Sequence, residues 1–268
     1  MTKLSVQEVQ SIVGGRLVFG GWPEHRDEAI SIGRVRANIE CVEPGDTFWT
    51  LEGTTHDGAE LAEEALKRGA AGIVLSGRRI VPEQGQFVLE VNDARQALWK
   101  LAENIGSKFS GNVIAVAGSV GKTTARRLIE AVLDMRPTTN LSGQPFNRTL
   151  EAEVELEFGS LDVGNEFQVS ADPVPLQMLD WNLTDPFSVV EFSTCEPENI
   201  ESLIKICRPT GAVLPRLAEK GMELRNDGGE SIAYAHAALL SALPGDGFAI
   251  LGGGDIWLRK IARSCRAK

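Results

Sequence analysis

The sequence predicts an α/β protein: a small mixed α/β N-terminal domain followed by a P-loop NTPase-like central domain with a mostly parallel sheet flanked by helices. Three observations carry that prediction. From residue 112 onward short apolar strands alternate with single helices, an order that needs crossover connections and so a parallel sheet covered on both faces. The first hundred residues hold the same element types in a less regular order. Between the two, VIAVAGSVGKTT at 113–124 is an apolar strand that stops at a glycine and resumes as a helix start.

The elements follow from local pattern. Val6, Val9, Ile12 and Val13 fall on one helical face before Gly14 and Gly15 end it. HDGAELAEEALKRGA reads as a helix in which Asp57 caps, Glu60 returns the bond, and Leu61, Ala65 and Leu66 face inward. GIVL and FVLEV are buried strands. DARQALWKLAENIG repeats the helical spacing at Ala94, Ala97, Leu98, Leu101 and Ile105. The polar SKFSGN at 107–112 marks the boundary between domains 1–108 and 109–268. Beyond it come strand NVIAVAG, a helix over 122–135, strand SVVEFS, helix PENIESLIKICR, strand GAVLP, helix SIAYAHAALLSAL, strand GFAIL and helix DIWLRKIARS. Residues 143–187 hold many acids, several prolines and no period, and read as an irregular insertion or lid with short strands.

Composition narrows the function. The 268 residues are 43% hydrophobic, ample for real cores, and the formal charge of −10 argues against a nucleic-acid partner, which excess Lys and Arg would bind. No apolar run approaches the roughly 20 residues of a membrane span, and MTKLSVQEVQ lacks the apolar stretch of a secretory signal, so the expected location is cytoplasmic. Cys41, Cys195, Cys207 and Cys265 lie far apart without a CxxC pair, which suggests neither a zinc ribbon nor a disulfide framework.

The glycine turn aims backbone N–H groups and the positive end of a helix at one spot, which suits a triphosphate. Gly118 and Gly121 let the backbone approach the oxygens, Lys122 reaches the β and γ phosphates, and the Thr123 hydroxyl is placed for Mg²⁺. Val116 stands where the strict GxxxxGK pattern has its first glycine. A tight strand-to-helix turn without a ligand is the other reading. Glu191, at the end of the strand in VVEFS, sits where ligands of open α/β sheets gather; capping the next helix or pairing with a lysine is its alternative.

The run Gly118-Ser119-Val120-Gly121-Lys122-Thr123-Thr124 resembles the phosphate loop of the Mur ligases of peptidoglycan synthesis. PGDTFWTLEGTTHDGAELAEEALKRGAAGIVL is similar to the N-terminal domain of that family, and SVVEFSTCEPENIESLIKICRPTGAVL and LPGDGFAIL are similar to the central domain of its D-alanyl-D-alanine-adding type. The resemblance implies an ATP-dependent ligase. ATP would phosphorylate the terminal carboxylate of a UDP-MurNAc-peptide, and the amine of D-alanyl-D-alanine would displace the phosphate to form an amide. It further implies that Lys122 and Glu191 are catalytic, that 118–124 and Asp255 bind the nucleotide, that Thr123, Glu191 and His236 hold metal, and that Ser31 and Arg34 contact the UDP-sugar.

Several family positions differ here. His236 stands where the resemblance places a carbamylated lysine, and a histidine packed in the core is its bland reading. Ala238 and Gly221 replace a glutamate and a histidine, while Glu223 remains. Ser142-Gly143 replace an asparagine pair, with Asn140 and Asn147 nearby. Gly252-Gly253-Gly254-Asp255 keeps one acid of a base-contacting motif, or is a plain glycine turn into the last helix. Ser31-Ile32-Gly33-Arg34 keeps the arginine of a uridine-contacting motif, or presents a solvated arginine. Thr47, Gly53 and His56-Asp57-Gly58 suit a turn and a helix cap. The family's third domain has no counterpart in the sequence, so a ligase would need it from a partner protein. The other readings are a catalytically degenerate binder of ATP or a UDP-sugar-peptide that regulates cell-wall synthesis, and a P-loop NTPase or kinase outside the family.

Overall fold

The computed structural model describes residues 4–21, 30–51, 58–134, 173–192, 197–217 and 230–268. Among them two sheets form, each between helical layers. The N-terminal part contains α1 (Val6–Val13), β1 (Arg16–Phe19), β2 (Val35–Arg36), β3 (Thr47–Trp49), α2 (Gly58–Lys67), β4 (Gly72–Ser76), β5 (Phe87–Val91) and α3 (Ala94–Lys108). The sheet order is β1-β5-β4-β3-β2, with β1 antiparallel to β5 and the remaining pairs parallel. Local chemistry sets these elements. Ser5 and Glu8 form a reciprocal capping box on α1, and the Asp93 carboxylate accepts the Gln96 N–H at 2.8 Å to start α3. Ala62 and Ala65 of α2 pack with Phe48, Ile73, Leu75 and Val88 on one face of the sheet, while α1 and α3 cover the other.

The second part holds β6 (Asn112–Val116), α4 (Lys122–Asp134), α5 (Pro173–Leu179), β7 (Phe187–Glu191), α6 (Pro197–Cys207), β8 (Gly211–Leu214), α7 (Glu230–Ala242), β9 (Phe248–Leu251) and α8 (Ile256–Ile261). Its sheet, β7-β6-β8-β9, is parallel throughout. Burial alternates along β6: Ile114 and Val116 pack against Ala125, Ile129 and Leu133 of α4, and Val113, Ala115 and Ala117 join the larger core with α3, α6 and α7. This parallel sheet with helices on both faces is the expected fold class. Because β7 and β8 lie on opposite sides of β6, the strand order reverses there, and the crevice of such a sheet opens at the carboxyl ends of the strands.

Two readings of the sequence need correction. The stretch 143–187 is not wholly irregular: Pro173–Leu179 is helical and buries Val174, Met178 and Leu179, and β7 already starts at Phe187. Seven residues with two prolines are too short to show a period, and the proline at the first helical position supports helix start rather than a loop. The last helix is also shorter than DIWLRKIARS suggests, ending in a 3₁₀ turn over Ala262–Ser264. No helix among the described residues is long and apolar enough to cross a membrane.

Candidate functional site

The crevice begins where β6 ends. Gly118 adopts φ 120° and Gly121 φ 84°, both in the region that favours glycine. A Cβ on Gly118 would stand 2.7 Å from the Arg216 carbonyl oxygen. That carbonyl accepts the Ser119 N–H at 2.8 Å and the Val120 N–H at 3.4 Å, so the turn is tied to the segment after β8. The first helical bond runs from the Ala125 N–H to the Gly121 carbonyl. The N–H groups of Gly121, Lys122, Thr123 and Thr124 have no backbone acceptor among the described residues. They crown a helix of 13 residues, where unpaired donors and the helix dipole together favour an anion. The anion-binding capacity of the turn therefore rests on 121–124, with the amides of Ser119 and Val120 engaged by Arg216.

Glu191 is the last residue of β7, paired in register with Val116 of β6, and so lies beside the turn. The Thr123 hydroxyl donates to its Oε1 at 3.0 Å. Its Oε2 faces Arg126 Nε at 3.4 Å, and Arg126 Nη1 also reaches both oxygens of Glu130 at 2.7 and 3.0 Å. The Thr123 hydroxyl and the Glu191 carboxylate are hard oxygen donors on adjacent elements, the donor chemistry that Mg²⁺ takes with one or two carboxylates and substrate phosphates. No group of three or more His, Cys, Asp or Glu side chains able to hold a metal occurs among the described residues.

His236 is fully buried on α7. Its Nδ1 lies 2.7 Å from the Ile232 carbonyl, which can only accept, so in the neutral ring Nδ1 carries the proton and Nε2 bears the lone pair. Nε2 has no hydrogen-bond partner among the described residues. Burial is the chief cause that pushes the imidazole below its ordinary value, opposed by the Ile232 hydrogen bond and reinforced by the positive charge of Lys122. The chemistry of this nitrogen suits softer ions than Mg²⁺.

A cleft of about 540 Å³ opens at the carboxyl ends of β8 and β9, between Arg216 and the Gly252-Gly253-Gly254 turn. Asp255 borders it, but both of its carboxylate oxygens are engaged. Oδ1 caps α8 by accepting the N–H groups of Trp257 and Leu258 at 2.8 and 3.0 Å, and Oδ2 accepts the Leu217 N–H at 2.8 Å. The other predicted contacts lie on the N-terminal part. Ser31 is exposed, bridges Ser5, and accepts the Gly33 N–H; Arg34 is exposed and its carbonyl accepts the Thr47 N–H. The Thr47 hydroxyl donates to the Ile32 carbonyl in the buried interior, a structural role as expected. Gly53, His56, Asp57, Asn140, Ser142, Gly143, Asn147, Gly221 and Glu223 lie outside the described residues.

The structure thus gathers Gly118 to Thr124 with Glu191. Two participants were missed from the sequence. Arg126 had a readable signal, a cation three positions after Thr123 and so on the same helix face. The Arg216 carbonyl had none, since it acts through backbone.

Residues 116–268 match the family model described as Mur ligase middle domain. The UDP-N-acetylmuramoyl-tripeptide--D-alanyl-D-alanine ligase of Bacillus subtilis is 27% identical over 268 residues, covering 100% of this chain and 52% of the relative. The enzyme of the same name from Synechocystis is 27% identical over 265 residues, covering 98% and 52%. Among solved structures, MurF from Acinetobacter baumannii has a TM-score of 0.68 at 19% identity, over 99% of this chain and 52% of that one. The MurF ligase from Thermotoga maritima in complex with ADP has a TM-score of 0.62 at 25% identity, over 88% and 49%. The chain spans about half the length of the curated relatives it matches.

Proposed function

Because the chain belongs to the Mur ligase family, we propose that it binds ATP at the 118–124 turn and serves ATP-dependent amide-bond formation on a peptidoglycan precursor. The proposed substrates are a UDP-MurNAc-peptide and D-alanyl-D-alanine, joined through an acyl phosphate, in the cytoplasm. The organisation that goes with this is an N-terminal domain over 1–108 that contacts the UDP-sugar through Ser31 and Arg34, and a nucleotide-binding domain over 109–268. The observation that carries the reading is the 3.0 Å bond between Thr123 at the head of α4 and Glu191 at the end of β7. It joins a hydroxyl and a carboxylate beside four amides that have no backbone acceptor among the described residues, as a metal-bound triphosphate requires.

Each residue has a derived task. The amides of 121–124 receive phosphate oxygens, and the Lys122 ammonium balances negative charge as the phosphoryl group is transferred. Thr123 and Glu191 would hold Mg²⁺, which supplies charge neutralisation across the phosphates. The cleft beside Arg216 is the place for the base end of the nucleotide, its floor shaped by 252–255. The ADP held by the Thermotoga maritima relative is consistent with such a site. Catalysis would also draw on polypeptide corresponding to the half of the relatives' length outside the match.

A specific observation favours a second reading. Both oxygens of Asp255 serve the fold, two loop amides are engaged by Arg216, and His236 and Ala238 stand at positions where the family resemblance places charged groups. These favour a nucleotide-binding relative that regulates without turnover. ATP binding by calorimetry at millimolar Mg²⁺, followed by ADP release with UDP-MurNAc-tripeptide and D-alanyl-D-alanine, tests both. The expected result is saturable binding that Lys122→Ala weakens at least about tenfold, or ~1.4 kcal/mol. Binding without ADP release selects the regulator, and no binding removes both readings.

A further inference from the structure

We propose that Arg126 is a resident cation of Glu191 that sets how much Mg²⁺ the nucleotide site demands, with Glu130 sharing and moderating it. The inference rests on the reading of Thr123 and Glu191 as the metal site and goes beyond it. Thr123 and Arg126, three positions apart, share one side of α4, and both reach Glu191. Each takes a different carboxylate oxygen, so neither displaces the other. The Arg126 and Glu191 side chains are only 18% and 20% exposed, which weakens the screening that makes surface pairs inconsequential. A guanidinium keeps its charge at every working pH, so its influence is constant.

The consequence for a divalent cation is repulsion. Mg²⁺ at Glu191 must share the carboxylate with a fixed positive charge, and the carboxylate must turn part of its charge toward the newcomer. Glu130 reduces this effect. Its contacts with Arg126 Nη1, at 2.7 and 3.0 Å, are shorter than the 3.4 Å contact of Arg126 Nε with Glu191. The guanidinium is therefore held more tightly by Glu130 than by the site residue. Arg126 acts through Glu191 and is a positioning residue. A purely structural pair between α4 and β7 would stabilise the fold without altering the metal requirement.

The test is the Mg²⁺ concentration that half-supports ATP binding, read by calorimetry on the full chain, with thermal melts as a folding check. Arg126→Gln is expected to lower that midpoint about tenfold. Glu130→Gln, which frees the guanidinium for Glu191, is expected to raise it several-fold, and that increase should disappear in the double variant. Arg126→Lys keeps the charge and should stay within a few-fold of the parent. An Arg126→Gln midpoint equal to or above the parent's overturns the proposal, as does a Glu130→Gln effect that persists without Arg126. Should Arg126→Gln melt below the assay temperature, the Glu130→Gln midpoint decides alone: no increase overturns the proposal. A parent whose ATP binding ignores Mg²⁺ sinks the metal reading itself, and is recognised in the parent titration before any variant is compared.

Discussion

Gly118 and His236 report on the candidate site in different ways, one through sterics and the other through charge. Gly118 combines φ 120° with a carbonyl oxygen 2.7 Å from where a Cβ would lie, so alanine is penalised twice, by backbone conformation and by collision with Arg216. Gly118→Ala should cost about 1–3 kcal/mol in denaturant unfolding and weaken ATP binding, because relieving the clash loosens the tie of the turn to Arg216 and so shifts the amides of 121–124 that receive the phosphates. His236 instead reports through pH. Its folded form favours the neutral ring below the ordinary 6.5, so the unfolded chain binds the proton more readily. Its contribution is complete above about pH 6.5 and is lost as pH falls toward the lowered folded value, with a slope of at most about 1.4 kcal/mol per pH unit. Comparing His236→Leu with the parent by chemical denaturation between pH 5 and 7.5 should show the variant with a shallower acid loss. An identical slope would mean that other groups carry it. The turn and its lysine were legible through residue types at fixed spacing, and Glu191 through its place at the end of a buried strand. The Arg216 carbonyl was not, since any residue there offers the same oxygen.

At the scale of elements, periodicity exposed the long helices and left the short pieces unread. Ala94, Ala97, Leu98, Leu101 and Ile105 were assigned to one face of α3 from spacing, and all are buried. β1 escaped because RLVF between glycine pairs is four residues long, and its antiparallel place beside β5 depends on a partner seventy positions away. α5 escaped because Pro173 and Pro175 suggest a loop, yet both fall in its first turn, where a missing N–H costs nothing. α8 shows how one residue can bear two meanings. Asp255 was assigned to nucleotide contact by resemblance, whereas its carboxylate caps a six-residue helix and secures Leu217 across the cleft. Asp255→Ala should therefore lower unfolding stability by about 2 kcal/mol, combining the loss of a cap with an unpaired amide at Leu217. Asp255→Asn, which keeps acceptor oxygen, should recover most of the cap but not the second bond. If Asp255→Ala instead weakens ATP binding with stability unchanged, the contact role outweighs the structural one.

For the whole molecule, the question is whether two sheets make two independent units. The sequence placed a boundary near 108, and three residues, Phe109 to Gly111, connect α3 to β6. The core, however, is continuous across it: α3 packs against α1 on one side and against α5 and α6 on the other, and one buried cluster runs from Leu4 to Ile261. A helix that serves as wall to both sheets was not deducible from local pattern, since a buried face looks the same whichever partner covers it. Gly106 tests the coupling most directly. Glycine inside a helix is inferior to alanine by roughly 0.5–1 kcal/mol on propensity, and Gly106 lies in the last turn of α3, so Gly106→Ala would stabilise an isolated α3 by no more than that. Here the added methyl would stand 2.0 Å from the Ile206 carbonyl and 2.9 Å from Met178 Cε. Backbone cannot yield as a side-chain tip does, and overpacking of this kind costs about 1–3 kcal/mol, so the clash outweighs the propensity gain and the variant is net destabilised. Trp49, which donates to the Ala94 carbonyl, and Trp181, whose ring lies tilted against Phe109 at 4.8 Å between centroids, report on the two sides. In proteins retaining only one of these tryptophans, Gly106→Ala should shift both unfolding curves together to lower denaturant. A shift confined to the Trp181 curve would show that α3 does not transmit packing between the sheets, and that the two halves unfold as separate cooperative units.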